Sequence, residues 1–292
     1  PPAPAMRSGV TTLQESAGVE AAPAPEIIAL NRMGLGPRPG DLAAMPVVVA
    51  DLHSALPAVL AGIRSTHPHA RVAYVMTDGG ALPAASSRAV AGPADAGWLT
   101  STITVGQAFG GDHEAVTTHT GLLAARFVVG ADVAVVTQGP GNVGTGTRWG
   151  YSGVGCADAL HAAEVLGGHG IASLRVSGAD LRERHRGISH HSRTAYGRAL
   201  LTAADVPVTT LPDAELDALV REQLRTLVDT ARARLSVVEV PADGLLEALH
   251  TSPVALRTMG RGLDSDPAPF LAAAAAGVHA AALTDSAVSG RP

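Results

Sequence analysis

Residues 133–153, VAVVTQGPGNVGTGTRWGYSG, join a short apolar run to a long glycine-rich loop. The run 133–136 is uniformly apolar, as is typical of a strand that is buried on both faces of a sheet. In 137–153, six of seventeen residues are glycine, so the loop offers mainly backbone N–H groups. Such groups suit an anion, most often a phosphate or a carboxylate. The stretch therefore predicts a buried strand that opens into an anion-binding loop.

The pattern of an apolar run, a polar loop and a helix recurs along the chain. Strands are predicted at 47–50, 72–76, 102–105, 132–136, 171–176, 206–210 and 235–240. Helices are predicted at 55–64, from about 83, after the loop 106–114 to about 129, and at 154–166, 194–203, 213–233, 244–250 and 270–283. Pro207 indicates an edge position for its strand. This alternation predicts an α/β fold: a doubly wound, mostly parallel sheet with helices on both faces.

The chain divides into three predicted parts. Residues 1–44 are rich in proline and glycine and have little periodicity, so we expect an extended arm with at most a short strand at 26–30. Residues 45–284 form a single α/β domain, and 285–292 a flexible tail. No apolar run approaches the length of a membrane span, so we expect a cytoplasmic protein that does not contact a membrane.

The composition excludes several classes of function. All 21 basic residues are arginine, which rules out a Walker-type phosphate lysine and a lysine Schiff base. The net charge of −5 argues against a nucleic-acid-binding surface. One cysteine, Cys156, excludes a disulfide within the chain and a cysteine-based zinc cluster. Arginine remains as the permanent cation for an anionic ligand.

The polar residues of interest follow predicted strands. Because the carboxyl ends of parallel strands meet at one edge of a sheet, where ligands usually bind, we expect these residues to converge. The candidate catalytic residues are Asp78, Asp112, His185, His190 and His191. The candidate ligand-binding residues are Gly79, Gly80, Gly139, Gly141, Asn142, Gly144, Thr145, Gly146, Thr147, Arg182, Arg186 and Arg261.

Residues 182–193 hold four arginines and three histidines, and three interpretations stay open. One histidine can move protons while arginine holds a phosphate or carboxylate. Alternatively, the histidines join a carboxylate to bind a divalent metal, with Asp78, Asp112, His113 and His190 as candidate ligands. The third interpretation is a solvated basic loop. Asp112 and His113 open a predicted helix, where acidic groups are also ordinary dipole partners.

The letters Gly139-x-Gly141-x-x-Gly144 match the dinucleotide-binding fingerprint. The context matches poorly, because the loop runs on to about Gly153 before a helix begins, and no acidic residue follows about 20 residues later at the end of the next strand. A generic anion-binding loop, a dinucleotide site and a plain crossover are the three alternatives.

Several long stretches resemble a bacterial family that is known only as a domain of unknown function. They are MPVVVADLHS (45–54), YVMTDGGALPAA (74–85), TITVGQAFGGDHEAV (102–116), GLLAARFVVGADVAVVTQGPGNVGTGT (121–147), RERHRGISHHS (182–192) and TMGRGLDSDPAPF (258–270). The resemblance spans most of 45–283. It implies no activity and transfers no catalytic residue.

Three functions are therefore expected as alternatives. The first is an enzyme that acts on a small anionic, phosphorylated molecule by histidine acid–base chemistry or by metal-assisted hydrolysis or transfer; a variant of it is a nucleotide- or dinucleotide-dependent enzyme. The second is a ligand-binding or regulatory module without chemistry. The third is a structural subunit whose glycine-rich loops are subunit contacts, with the alanine-rich helix 270–283 as a candidate interface. We also expect a homo-oligomer.

Overall fold

The computed structural model describes residues 42–79 and 83–289, with side chains as far as Asp285. The predicted arm, its short strand and Gly80 lie outside the described residues, apart from 42–44. The predicted single domain is therefore seen from its first strand to its last helix.

Within the described residues, eight strands form one sheet in which every neighbouring pair is parallel. They are β1 (Pro46–Ala50), β2 (Val72–Thr77), β3 (Ser101–Val105), β4 (His113–Ala115), β5 (Val133–Gln138), β6 (His169–Ala172), β9 (Ala204–Val208) and β10 (Leu235–Glu239). Their order is β10-β9-β6-β1-β5-β2-β3-β4. Two small antiparallel hairpins are made by β7 (Val176–Ser177) with β8 (Gly187–Ile188) and by β11 (Arg257–Thr258) with β12 (Arg261–Gly262). The predicted parallel α/β sheet is confirmed.

The order of the strands locates a crevice in the sheet. After β1 the chain passes beyond the place of β5 to β2, β3 and β4; it then returns to insert β5 between β1 and β2. From β5 it crosses β1 to β6 and continues outward to β9 and β10. The connections that leave β1 and β5 thus run in opposite directions. In open parallel sheets, ligands bind at such a switch point, beyond the carboxyl ends of the strands.

Eight α-helices in the described part of the chain complete the layers. They are α1 (Leu56–Thr66), α2 (Arg88–Asp95), α3 (Thr118–Phe127), α4 (Cys156–Val165), α5 (His190–Thr194), α6 (Ala214–Thr230), α7 (Leu245–His250) and α8 (Ala268–Ser289). Helix α8 packs on α1, β1 and β9, and α2 and α7 pack on α1. Helix α3 packs on β2 and β3, and α4 on β1, β6 and α3. Right-handed crossovers require opposite faces for these two groups, because the chain reverses its direction across the sheet after β4, before α3 and α4.

Alanine and glycine allow the two longest buried helices on one face to approach closely. Gly62 of α1 lies against the backbone of Ala274 in α8, and Gly277 lies against the backbone of Val59. A Cβ atom at either glycine would overlap a backbone oxygen of the partner helix. Phe270 and the alanines 272–276 of the predicted oligomer interface are buried inside the chain, where α8 packs on α1, β1 and β9.

Several predicted elements differ from the structure. The segment after Gly111 forms the short parallel strand β4 and not the start of a helix; α3 begins only at Thr118. Strand β9 is internal, since β10 is the edge. Ala204 and Val208 bond to β10, so the missing N–H of Pro207 faces β6, which pairs with β9 only at Asp205. Helix α8 continues to Ser289, past its predicted end at 283.

No helix among the described residues is both long and apolar enough to cross a membrane.

Candidate anion-binding site

The polar loops after β1, β2 and β5 meet at the switch point. Ala50 of β1 is in register with Thr137 of β5, and Thr77 of β2 with Gln138. Asp51, Asp78 and the glycine-rich loop therefore leave three neighbouring strands at the same edge. Gln138 Nε2 donates to the carbonyl oxygen of Asp51 at 2.7 Å, which ties the loop to the end of β1.

Asp112 and His113 do not reach this edge. His113 is in register with Ile103, so the loop after β3 returns to the opposite end of the sheet before β4 begins. Asp112 Oδ2 accepts hydrogen bonds from the backbone N–H of Thr102 at 2.8 Å and from its hydroxyl at 2.9 Å. Desolvation alone would raise the pKa of Asp112, but the bonds from Thr102 and Ser101 outweigh it and lower the pKa. Asp112 ties β4 to the start of β3.

Asp78 lies at the carboxyl edge but is exposed. Its Oδ2 accepts from the backbone N–H of Gln107 at 3.2 Å, which links the loops after β2 and β3. Among the described residues, Asp78, Asp112, His113 and His190 form no group with metal-binding separations. The predicted four-residue metal set is therefore not assembled, because its members lie on three different parts of the fold. Gly79 lies against the side chain of Gln138.

The three predicted histidines do come together. Ligand nitrogens of His185, His190 and His191 lie within 4.8 Å of one another, and we call this group the histidine cluster. The ring centroids of His190 and His191 are 4.4 Å apart, and those of His185 and His190 are 4.8 Å apart. Ser189 holds the cluster at the start of α5: its hydroxyl caps the N–H of His191 and lies 2.8 Å from Nδ1 of His185.

A buried ion pair fixes His191 in the cluster. Nδ1 of His191 lies 3.1 Å from Nη1 of Arg175 and 3.3 Å from Oδ2 of Asp51. Arg175 and Asp51 are themselves 3.5 Å apart, with side chains that are 8% and 5% exposed. Tyr151, at the end of the glycine-rich loop, stacks on the ring of His191 with centroids 3.9 Å apart and donates to its carbonyl oxygen. The cluster is thus held from β1, from the loop and from the chain after β6.

Burial and positive charge keep two of these histidines neutral. Desolvation lowers the pKa of His190 to about 4, and the neighbouring His191, Arg184, Arg193 and Arg175 act in the same direction. The pKa of His185 is lowered to about 3 by desolvation, then by Arg175 and Arg182. Positive charges around the cluster disfavour a further cation and favour an anion.

The glycine-rich loop is a hairpin. Gly144 and Tyr151 form an isolated antiparallel bridge, and the N–H of Thr145 donates to the carbonyl oxygen of Gly150 at 2.7 Å. The hydroxyls of Thr145 and Thr147 are 3.0 Å apart. Several N–H groups that were expected to face a ligand are therefore used within the loop. Helix α4 begins only at Cys156, unlike the helix of a dinucleotide fingerprint, which begins within the motif.

Beside the histidine cluster lies a cavity of about 330 Å³, which we call the basic pocket. It is lined by Arg148, His190, Arg193, Thr194, Arg198, Thr226, Leu227 and Thr230. These residues include three arginines, one histidine and three threonines, but no carboxylate. Nε of Arg193 is buried and has no hydrogen-bond partner among the described residues.

A π-helical turn aligns two of these arginines. The segment Ala195–Ala199 continues α5 as a π-helix, in which the N–H of Leu200 donates to the carbonyl oxygen of Ala195. In an α-helix, residues five apart point about 140° away from each other. Bonding from residue i to i+5 brings them onto one side, so Arg193 and Arg198 both line the pocket.

Two of the predicted anion-binding arginines are already used inside the protein. Arg261 bonds to Asp266 at 3.1 Å and to Asp180 at 3.4 Å. Arg182 bonds to Asp180 through Nε and Nη2. This network joins the loop after β7 to the hairpin of β11 and β12. Arg186 is exposed, and the guanidinium of Arg184 lies near Gly146 of the loop.

A second cavity, of about 620 Å³, opens near the end of β1 and is lined by His53, Arg88, Gly141, Asn142 and Arg257, together with nearby backbone and apolar residues. Nε2 of His53 lies 2.5 Å from the hydroxyl of Ser87, and Nδ1 lies 2.9 Å from that of Tyr74. Burial lowers the pKa of His53 to about 4, although the backbone bond to Gln138 opposes this. Gly141 and Asn142 thus line this second cavity and not the basic pocket.

Sequence reasoning missed Arg148, Arg175 and Arg198. Arg175 carries a signal, since it is a charge between apolar residues in a predicted strand. Arg148 lies inside the loop that was singled out for its glycines. Arg198 gives no signal, because an α-helix from 194 would place it away from Arg193.

Comparison of the chain with curated proteins and with solved structures gives no match. A family model described as "Protein of unknown function (DUF3866)" matches residues 32–277. The match covers the whole sheet and both cavities, and it brings no activity. The chain belongs to the DUF3866 family.

Proposed function

We propose that the protein is an enzyme that binds a small phosphorylated molecule in the basic pocket and acts on it by histidine acid–base chemistry. The observation that supports this best is the lining of the pocket: among the residues that the structure describes, three guanidinium groups face one cavity that no carboxylate lines. Elsewhere in the described residues, Arg182, Arg221 and Arg261 are paired with acidic side chains. Unpaired guanidiniums suit the planar, bidentate binding of phosphate oxygens.

In this proposal Arg148, Arg193 and Arg198 hold the phosphate, and the threonines line the remaining wall. His190 also lines the pocket, and it is neutral at pH 7 because its pKa is lowered to about 4. A bound anion favours the protonated imidazolium, so it raises the basicity of His190 toward the range that proton transfer requires. His191, held by Asp51 and Arg175, fixes the position of its neighbour.

Turnover of a panel of phosphate esters and nucleotides by the full chain tests this function. We expect His190→Ala to lower kcat by about 100-fold or more, the usual contribution of a general acid or base. Arg193→Met should mainly raise KM. Activity that is unchanged in His190→Ala would remove this residue from the mechanism.

Arg71→Met is the matched control, because Arg71 is exposed and precedes β2 at the amino end of the sheet, whereas the pocket is lined from α5, α6 and the glycine-rich loop. It should leave both kcat and KM unchanged. Binding of phosphate esters that depends on Arg193 but comes without any turnover would favour the alternative, a ligand-binding or regulatory module.

Metal-assisted hydrolysis at the same place is the second candidate. Its support is the close approach of three imidazoles, with the carboxylate of Asp51 3.3 Å from His191 as in outer-shell pairs of zinc sites. Activity that is abolished by EDTA, restored by zinc and lost in His185→Ala would favour it. Full activity in metal-free protein would exclude it.

A further inference from the structure

A second group of two imidazoles and a carboxylate lies at the amino ends of the strands, opposite the carboxyl edge where the histidine cluster lies. Nε2 of His169 and Nε2 of His279 each lie 2.7 Å from the same carboxylate oxygen, Oδ2 of Asp205. His169 is the first residue of β6, Asp205 is near the start of β9, and His279 belongs to α8. Three separate elements thus aim two nitrogens and one oxygen at one point, away from the basic pocket.

We propose that His169, Asp205 and His279 bind a zinc ion. Zinc is commonly held by three protein ligands drawn from imidazole and carboxylate, with water in the fourth position. The three ligand atoms already lie within 4.8 Å of one another.

The geometry needs only a small adjustment. With bonds of about 2.0–2.1 Å in a tetrahedron, ligand atoms on zinc are about 3.3 Å apart. Each imidazole nitrogen must therefore move about 0.6 Å away from Asp205. The two imidazole nitrogens, which lie within 4.8 Å of each other, must come to the same separation. The side chain of His169 is 38% exposed, so solvent reaches the group and can deliver both the metal and the fourth ligand. Asp205 and His279 are more buried, at 17% and 11%.

Such a site would join the last helix to the sheet. Helix α8 contacts β6 and β9, and a metal bound only in the folded state adds to stability by mass action. A direct consequence is that zinc should raise the melting temperature of metal-free protein.

Anomalous diffraction at the zinc edge, on crystals of the full chain grown with zinc chloride, tests the proposal directly. We expect a peak within bonding distance of all three side chains. Zinc found only at His185, His190 and His191, or at no site in the chain, would overturn it.

Zinc stoichiometry in solution gives a second test with matched variants. Asp205→Asn and His279→Ala should each lose one bound zinc and the zinc-dependent rise in melting temperature. His67→Ala should lose neither, although His67 also pairs through Nε2 with a carboxylate, that of Asp285. Equal zinc binding in wild type and in both site variants would contradict the site, whatever their stability.

Discussion

At the scale of single residues, the partner of each arginine decides whether it can bind a ligand. Arg261 and Arg193 are both partly buried, yet Arg261 is held by Asp180 and Asp266, whereas Nε of Arg193 has no partner among the described residues. The sequence shows both arginines but does not show which acidic residue pairs with each of them. Asp180 and Arg261 are 81 residues apart, and only the fold brings them together. The three predicted histidines do form a cluster. Two of the predicted arginines, Arg182 and Arg261, are paired with carboxylates and are not free to bind an anion.

Arg261→Met should lower the free energy of unfolding without changing the affinity of the basic pocket for an anion. It leaves the buried carboxylate of Asp266 without its guanidinium, and breaking a buried ion pair costs about 3 kcal/mol. Urea unfolding should show this loss, while phosphate affinity measured by calorimetry stays unchanged. A variant of full stability that binds phosphate weakly would instead make Arg261 a ligand-binding residue.

Arg193→Met should weaken phosphate binding and leave the stability of the protein nearly unchanged. Hydrogen bonds to charged groups contribute about 1.5–3 kcal/mol, so we expect phosphate affinity to fall by roughly 10- to 100-fold with little change in unfolding free energy. Calorimetric titration with inorganic phosphate measures the first, and urea unfolding the second. Equal affinity in wild type and variant would exclude Arg193 from the site.

His53 should make the protein less stable in mild acid. Its pKa is about 4 in the folded chain and 6.5 as a free side chain, so the unfolded chain binds the extra proton. The stability that its neutral form provides is complete above pH 6.5 and is lost as the pH falls toward 4. Between pH 7 and pH 5 the wild type should lose roughly 2 kcal/mol more than His53→Gln.

Urea unfolding of both proteins across this range measures the difference. His185 and His190 have lowered pKa values too, so the variant should retain part of the pH dependence. Identical pH dependence in the two proteins would show that His53 is not held neutral by the fold.

At the scale of elements, patterns of apolar residues predicted most of the strands. They did not predict the short strand β4 or the π-helical turn after α5. Residues 133–136 were recognised as a buried strand because nothing polar interrupts them. The strand β4 has three residues, too few for a period to show. The π-helical turn at Ala195–Ala199 was missed because an α-helix fits the same residues, yet it is this turn that aligns Arg193 with Arg198.

The contact between α1 and α8 should not tolerate a methyl group. At Gly277 an added Cβ would overlap the carbonyl oxygen of Val59, which belongs to a rigid helix. Gly277→Ala should therefore cost about 1–3 kcal/mol, although alanine is the better helix former by about 1 kcal/mol. Gly155→Ala is the control, because nothing lies within 4 Å of its added Cβ. Equal thermal stability of the two variants would contradict this packing.

At the scale of the whole molecule, the parallel sheet is what assembles the site. Asp51, Asp78 and the glycine-rich loop are far apart in sequence, and the registers of β1, β2 and β5 place them at one edge. This convergence could be predicted because it follows from topology. Asp112 was placed wrongly because the loop after β3 returns to the opposite end of the sheet before the parallel strand β4 begins. The basic pocket could not be predicted, because Arg148 lies on a hairpin and Arg198 in a π-helical turn beside Arg193 of α5, and apolar patterns reveal neither the hairpin nor the turn.

The central claim is that the basic pocket binds a small tetrahedral anion. Crystals of the full chain soaked in selenate and measured at the selenium edge test it most directly. The account predicts an anomalous peak inside the pocket, within hydrogen-bond distance of Arg193 and of at least one of Arg148 and Arg198. A pocket without a peak, in crystals that bind selenate elsewhere or not at all, would contradict the account.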